Sequence, residues 1–443
     1  MVKRSPINEP SGLRIHSFLR VVVLIFACQL SSSIVHGAED AADPYDALYD
    51  IIMTRQGPDG KAYGADESSP SIFKESEFPF DDGTYSKLNA ALEAFEALPQ
   101  NKIEAYSDIR RAIMQRHLWQ VFDATIPFRW ISDTSGESTW SMSHADRRHA
   151  ARPKIASLIQ RLALTKAQIL ALPDTQAATA DSRKFFPRYD AKAPLKPFLP
   201  ADLYSEDSSW ISIGFDVDPS APFHQNKIKF RSAFLTFIRL PGARTETREY
   251  IRRVGEKVER FPVGTQFALI ERAFLISDKG EMILSPLTVS VSLRAYLDVE
   301  RIAPKLGRDP TQSLAEFVMQ PRLLMQGNAV MKALRPDDMR YEAGDVDIHN
   351  DAVEPFEDVV HVSYREDEND MLRRPRLTLC MSCHRQRGGR SVRGGFLSDL
   401  QESDSQVIVE ATLKYKQKHE TWKTLNELWQ SESKKQTRPT EAD

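Results

Sequence analysis

Residues 266–297 read QFALIERAFLI (266–276), SDKGE (277–281) and MILSPLTVSVSLRAYL (282–297). Two apolar runs rich in β-branched and aromatic residues flank the short polar segment Ser277–Gly280, whose Asp-x-Gly sequence suits a hairpin turn. A third run of this kind, Phe230–Leu240, precedes them, and Thr245–Lys257 between these runs has the pattern of a helix. This part of the chain therefore predicts an antiparallel sheet with one inserted helix.

Helical spacing dominates the sequence before the sheet. A helix is predicted from Tyr85 to Leu98, where Pro99 follows, and a second covers Ile103–Phe122. A third is expected to begin near Pro153, since proline suits the first helical turn. Five prolines then mark a predicted linker of about thirty residues, Pro173–Pro200.

A final apolar stripe predicts one continuous helix over Ser405–Gln430. We therefore expect an α+β protein in which the mature chain has three regions. These are an N-terminal helical region (38–185), a central antiparallel β-sheet region (186–310) and a C-terminal loop-and-helix region (311–443).

Composition excludes several classes of protein. The chain has 443 residues, of which 41% are hydrophobic and 27% charged, as in ordinary globular proteins. A formal net charge of −3 argues against a nucleic-acid partner. The longest apolar run, Val21–Leu30, is half of the roughly 20 residues that a spanning helix needs, so no such helix is expected.

The amino terminus has the order of an export signal. Four basic residues precede the run Val21–Leu30, and the small, polar stretch Ser31–Ala38 follows it. Residues 1–37 are therefore expected to be a signal peptide, with cleavage after Gly37 or Ala38 and a periplasmic or secreted product. Two alternatives stay open at this point: a lipid anchor at Cys28, and a buried first helix of the mature protein.

Removal of residues 1–37 leaves 55 bases and 61 acids, a formal charge of −6, and only two cysteines. These lie in Cys380-Met381-Ser382-Cys383-His384, which fits the C-x-x-C-H pattern of c-type haem attachment. Two thiols at this spacing can reach both vinyl groups of one macrocycle, and the adjacent imidazole then becomes the proximal iron ligand. These five residues resemble the attachment site of c-type cytochromes, which implies one covalent haem c attached outside the cytoplasm.

Three other interpretations of the two cysteines remain. They are a CxxC disulfide, a thioredoxin-like redox pair and a zinc site. A disulfide that encloses two residues would stabilise the fold little. No βαβ pattern surrounds the pair, and no second cysteine pair is available for a structural zinc ion.

Arginines surround this motif. Seven arginines and no acidic residue occur in Arg373–Arg393, whereas Tyr341–Tyr364 contains seven acidic residues and no Lys or Arg. Guanidinium groups are suitable partners for the two haem propionates, and the nearest candidates are Arg385, Arg387, Arg390 and Arg393. The alternative is a basic loop that pairs with the acidic segment.

The sixth iron ligand departs from the pattern of ordinary cytochromes c, since no methionine follows Met381. His419 is the one downstream histidine, and a continuous helix would place it on the apolar stripe. Such a histidine is either a second metal ligand beside His384 or a core residue. Upstream candidates also exist: Met325, Met331, Met339, His349, His361 and Met371. A five-coordinate iron is the remaining option.

Three further segments carry a wider resemblance: Arg116–Asp123 (RHLWQVFD), Phe198–Leu203 (FLPADL) and Gly264–Leu269 (GTQFAL). They resemble segments of a group of large, uncharacterised exported bacterial proteins that end in a single CxxCH. The resemblance implies a similar architecture and export, and no activity.

These observations predict an exported protein with one covalent haem that transfers electrons or senses redox state together with a redox partner protein. About 400 residues are many for a simple electron carrier. That size favours an enzyme or a protein that docks a partner. Two alternatives therefore stay open: a peroxidase-like haem oxidoreductase with an open distal site, and a haem-free binding module with an oxidised CxxC.

Overall fold

A computed structural model describes residues 43–56, 62–63, 79–126, 129–132, 136–139, 144–193, 196–215, 231–257, 261–297, 312–334 and 400–437. The helices in these ranges are α1 (Pro44–Met53), α2 (Tyr85–Glu96), α3 (Gln100–Glu104), α4 (Asp108–Asp123), α5 (Ala145–Arg161), α6 (Lys166–Leu170), α7 (Thr175–Asp181), α8 (Arg244–Lys257), α9 (Pro321–Met325), α10 (Ser405–Gln417) and α11 (Glu420–Thr437). The strands are β1 (Arg55–Gln56), β2 (Ala62–Tyr63), β3 (Arg129–Ser132), β4 (Gly136–Thr139), β5 (Ile211–Phe215), β6 (Ser232–Arg239), β7 (Gln266–Ile276), β8 (Met282–Tyr296), β9 (Gln312–Val318), β10 (Lys332–Leu334) and β11 (Leu400–Glu402). The predicted α+β class is confirmed.

The main sheet has seven antiparallel strands in the order β10-β9-β8-β7-β6-β5-β11. Strands β5 to β10 follow one another across the sheet, and β11 returns to pair with β5 at the far edge. The predicted strands and the inserted helix α8 lie where the sequence pattern indicated. The division of the mature chain at residues 185 and 310 stays a prediction.

The β7–β8 hairpin forms at the predicted turn. Gly280 has a φ of +76°, a conformation that favours glycine, and a Cβ there would lie 3.2 Å from the Nε1 atom of Trp429. Glycine therefore serves both the turn and the close packing of α11. The hairpin is irregular between Glu271 and Phe274, where the register with β8 shifts.

Helix α4 is buried on every side. Each of its residues from Arg111 to Asp123 is buried, so the helix has no polar face turned to solvent. Six of these buried residues have polar or charged side chains: Arg111, Gln115, Arg116, His117, Gln120 and Asp123. A buried polar group is costly unless it is hydrogen-bonded, so these side chains need partners inside the protein.

Arginines cap the carboxyl ends of helices α2, α4 and α5. Arg148 and Arg152 of α5 donate to the carbonyls of Ala124 and Thr125, at the end of α4, with N···O distances of 2.6 Å. Arg161 donates to Glu96 O in the last residue of α2 and to Leu98 O just after it, and Arg111 of α4 donates to Ala163 O just after α5. Cations at these ends satisfy unpaired carbonyls and complement the helix dipole, so α2, α4 and α5 hold one another in place.

Two of the predicted helix starts are wrong. Helix α5 begins at Ala145, so Pro153 lies inside the helix and not in its first turn. Pro153 is exposed, so the carbonyl that it leaves unpaired can bind water. The run Ile103–Phe122 is divided into α3 and α4 because the Ser107 side chain accepts a hydrogen bond from Arg110 N and starts a new helix.

The predicted helix over Ser405–Gln430 is also divided. Helix α10 ends at Gln417, and α11 begins at Glu420 after His419.

The predicted linker Pro173–Pro200 contains helix α7, which Asp174 caps by accepting from Ala177 N at 2.9 Å. No helix in the described ranges has the length and apolar character needed to cross a membrane, as predicted.

Gln115 joins α4 to the sheet. Its carboxamide Nε2 donates to Ile276 O at 2.8 Å, and its Oε1 accepts from Ile276 N at 2.9 Å. The side chain thus pairs with the backbone of β7 as a neighbouring strand would. Nε2 also lies 3.3 Å from Ile159 O of α5, so one carboxamide contacts both the sheet and a second helix.

We expect Gln115→Met to lower the free energy of unfolding by about 2–4 kcal/mol, because it leaves buried Ile276 N–H and C=O groups unpaired. Gln100→Met is the matched control, since the Gln100 carboxamide is exposed, and should change stability by less than about 0.5 kcal/mol. Urea unfolding followed by circular dichroism measures both. Equal midpoints for the two variants would contradict this role for Gln115.

Candidate functional site

The predicted haem-binding residues lie outside the described ranges. They are Cys380, Cys383, His384, Arg385, Arg387, Arg390 and Arg393. The predicted signal peptide, with Cys28, and the candidates Met339, His349, His361 and Met371 also lie outside them. Of the metal ligands predicted, His384 and His419, the structure describes His419.

The two strands that flank the CxxCH segment lie at opposite edges of the sheet. The described chain ends at Leu334 in β10 and resumes at Leu400 in β11. Six strand spacings separate these edges, which corresponds to about 29 Å. Leu334 and Leu400, the described residues on either side of 335–399, therefore lie at opposite edges of the sheet.

Both described methionine candidates for the sixth ligand are packed in the protein. Met331 is buried, and its backbone N–H donates to Thr179 Oγ1 at 2.8 Å. The Met325 sulfur lies 3.1 Å from the hydroxyl of Tyr45, which also donates to Arg110 O at 2.7 Å. Met331 would have to leave its buried position to reach an iron atom.

His419 is the residue just before α11 and acts as its cap. Its Nδ1 accepts a hydrogen bond from Thr421 N at 3.3 Å and lies 3.1 Å from Thr421 Oγ1. The helix break at this position therefore has a local cause, since a side chain satisfies an N–H group that lacks an intrahelical partner. Burial, with the positive charges of Lys416 and Lys423, lowers the pKa of His419 to about 4.

This capping bond bears on the predicted role of His419 as a ligand. At neutral pH the ring is uncharged, and because Nδ1 accepts a hydrogen bond, the proton is on Nε2. Iron binding through either nitrogen would then require loss of the cap or a change of tautomer. His419 is half-buried, and its geometry favours a capping role over ligation, while the ligand assignment itself stays a prediction.

A buried ionic cluster connects α4 to the sheet. Glu271 of β7 accepts from Ser232 Oγ at 2.8 Å and from Ser290 Oγ at 2.9 Å. The Arg116 guanidinium lies 3.6 Å from the same carboxylate, and Glu271 is 2% exposed. Nearby, Arg231 and Asp123 form a second buried ion pair at 2.9 Å.

The partners of this cluster give it a structural role. The Glu271 carboxylate is held by hydroxyls from the two neighbouring strands and by a charge from the helix above them, so three strands and α4 meet at one group. Sequence reasoning missed the cluster. The sequence feature that could have indicated the cluster is the charged pair Glu271-Arg272 inside an otherwise apolar strand.

The described part of the chain holds no group of three or more His, Cys, Asp or Glu residues with the arrangement of a metal site. The buried carboxylates Glu271 and Asp123 instead face arginines. Removal of one partner of such a pair would leave an uncompensated buried charge, so we interpret both pairs as structural.

The lowered pKa of His419 predicts a pH dependence of stability. Between pH 6.5 and about 4 the unfolded chain binds a proton on this ring while the folded chain does not, so stability falls as the pH falls. We expect His419→Asn, which can keep the cap, to lose this contribution. As the pH is lowered from 6.5 to about 4, the melting temperature of the wild type should fall more steeply than that of His419→Asn. Parallel curves of melting temperature against pH for the two proteins would contradict the assignment.

Comparison with protein-family models, with curated proteins and with solved structures found no match for this chain.

Proposed function

We propose that the chain is an exported protein that carries one covalent haem c and functions in electron transfer or redox sensing. One observation carries the proposal: both cysteines that remain after the predicted signal peptide belong to a single C-x-x-C-H sequence. Cys380 and Cys383 would form the thioethers, and His384 would be the proximal ligand. The bound group supplies one-electron redox chemistry.

The donor set fits this group chemically. Two thiols and an adjacent imidazole match covalent attachment and axial ligation, and the neighbouring guanidinium groups match the charge of the propionates. Arg385, Arg387 and Arg390 are the proposed propionate partners. Export to the periplasm or beyond is consistent with attachment outside the cytoplasm.

The contacts of the described ligand candidates favour a second function. Met325, Met331 and His419 are each engaged in packing or capping. A sixth ligand would then come from another residue of the chain, or the distal position would be open. An open position favours a peroxidase-like haem oxidoreductase over a simple electron carrier.

Attachment is tested by production of the full-length chain in a bacterial strain that matures c-type cytochromes. We expect a pyridine haemochrome spectrum of haem c, at one haem per chain, and a mass increase that survives denaturation. Cys380→Ser with Cys383→Ser should remove the covalent haem. His384→Ala should keep the thioethers and change the ligand-state bands, and an unchanged spectrum would refute its role as ligand.

A haem-free chain from a competent strain would overturn the proposal. It would leave the interpretation as a binding module, in which case alkylation followed by mass measurement distinguishes an oxidised CxxC from two free thiols. In the haem-attachment experiment Gln100→Met serves as the control variant, because it changes an exposed side chain far in sequence from the C-x-x-C-H motif.

The open-site alternative is tested by carbon monoxide. With a five-coordinate reduced iron we expect an immediate shift of the Soret band, and the same shift in His419→Asn, since His419 acts as a cap. A slow or absent shift in the wild type would favour six-coordination. A fast shift that appears only in His419→Asn would identify His419 as the sixth ligand and contradict the capping assignment.

A further inference from the structure

Strand β11 is held at the sheet edge by an ion pair with α8. Glu402 Oε2 accepts from Arg248 Nε at 2.7 Å, and Glu402 Oε1 accepts from Arg248 Nη2 at 2.8 Å. This is a bidentate pair, the most favourable geometry for a guanidinium and a carboxylate. Arg248, followed by Arg244 and Arg252 of the same helix, holds the pKa of Glu402 below its ordinary value.

Helix α8 presents Arg248 from a fixed position. Its Tyr250 and Ile251 are buried in a cluster with Ile238 and Phe267 of the sheet. The position of the guanidinium therefore depends on the body of the protein and not on β11.

Strand β11 itself has few other attachments among the described residues. Gln401 and Glu402 are exposed, and the strand pairs with only three residues of β5. One more backbone bond, Ser403 N to Ser212 O at 3.0 Å, completes the contact. In contrast, Ile408 and Val409 of α10 are buried in the core.

We propose that Arg248 and Glu402 form a salt-sensitive latch, and that residues 400–403 open from the sheet edge while α8, β5 and α10 stay folded. Segments with little buried apolar surface open at a lower free energy than the core, and here one exposed ion pair adds to a few backbone bonds. An ion pair of this exposure weakens as salt increases.

The latch has a consequence for the preceding segment. With β11 closed, Leu400 is the first described residue after the CxxCH that pairs with the sheet, 16 residues after His384. With β11 open, the first described residue of the core after the motif is Ile408, 24 residues after His384. The inference does not depend on whether haem is attached, since it rests on β11, β5 and α8 alone.

Hydrogen–deuterium exchange of the full-length chain tests the latch. We expect the amides of residues 401–403 to exchange faster than those of β6, and Arg248→Gln to speed their exchange about three- to five-fold. A rise from about 0.01 M to about 1 M NaCl should produce a similar increase in the wild type and little in Arg248→Gln. The amides of α10 should be unaffected.

Asp46→Asn is the matched control, since it breaks a surface ion pair of the same kind with Arg110 at 2.7 Å, between α1 and α4. It should leave β11 exchange unchanged. The proposal is overturned if the β11 amides exchange only as slowly as those of β6, or if Arg248→Gln leaves their rate at the wild-type value. It is also overturned if Arg248→Gln accelerates α10 and β11 equally, because the two would then open as one unit.

Discussion

The fold depends on the satisfaction of polar groups along one helix that is buried over most of its length. Helix α4 is buried from Arg111 to Asp123, and an unpaired polar group at any of its buried positions would cost much of the stability of a typical domain. The sheet meets this demand, since Gln115 pairs with the backbone of Ile276 and Arg116 lies beside Glu271. Hydrogen bonds require specific distances and angles, so α4 can sit on the sheet in only one register.

The same requirement organises the helices around α4. Arginines of α5 cap the end of α4, and Arg111 of α4 caps the end of α5, so each helix satisfies groups that the other leaves unpaired. Apolar packing alone would tolerate small shifts between helices, whereas these bonds do not. This reciprocal capping fixes α4 and α5 relative to one another.

The sequence predicted the features that local patterns determine. The β7–β8 hairpin was predictable because its turn residues and both apolar runs are adjacent in the chain. The helix divisions at Ser107 and His419 were not, because they depend on single side chains that bind backbone N–H groups within apolar stripes that continue past them. The interior position of Pro153 was missed for a related reason, since its exposure is a tertiary property.

The candidate site also has a part that was predictable from the sequence and a part that was not. The C-x-x-C-H sequence is visible because its five residues are contiguous, whereas the sixth ligand depends on tertiary contacts that no spacing shows. His419 was a candidate because a continuous helix over Ser405–Gln430 would align it with the apolar stripe. The break before α11 removes that alignment and gives the imidazole a capping role.

The two anchors of segment 335–399 differ in strength, and this difference connects the fold to the proposed function. On the β10 side, Met331 is buried and its N–H is bound by Thr179 of α7, so this anchor is part of the core. On the β11 side, a three-residue pairing with β5 and one exposed ion pair carry the attachment, and Gln401 and Glu402 are exposed. Since local opening begins where least apolar surface is buried, any release of the segment starts at the β11 end, while the β10 end keeps it attached to the sheet. If the proposed haem attachment holds, the described body of the protein is a frame that holds the CxxCH segment by one firm and one adjustable end.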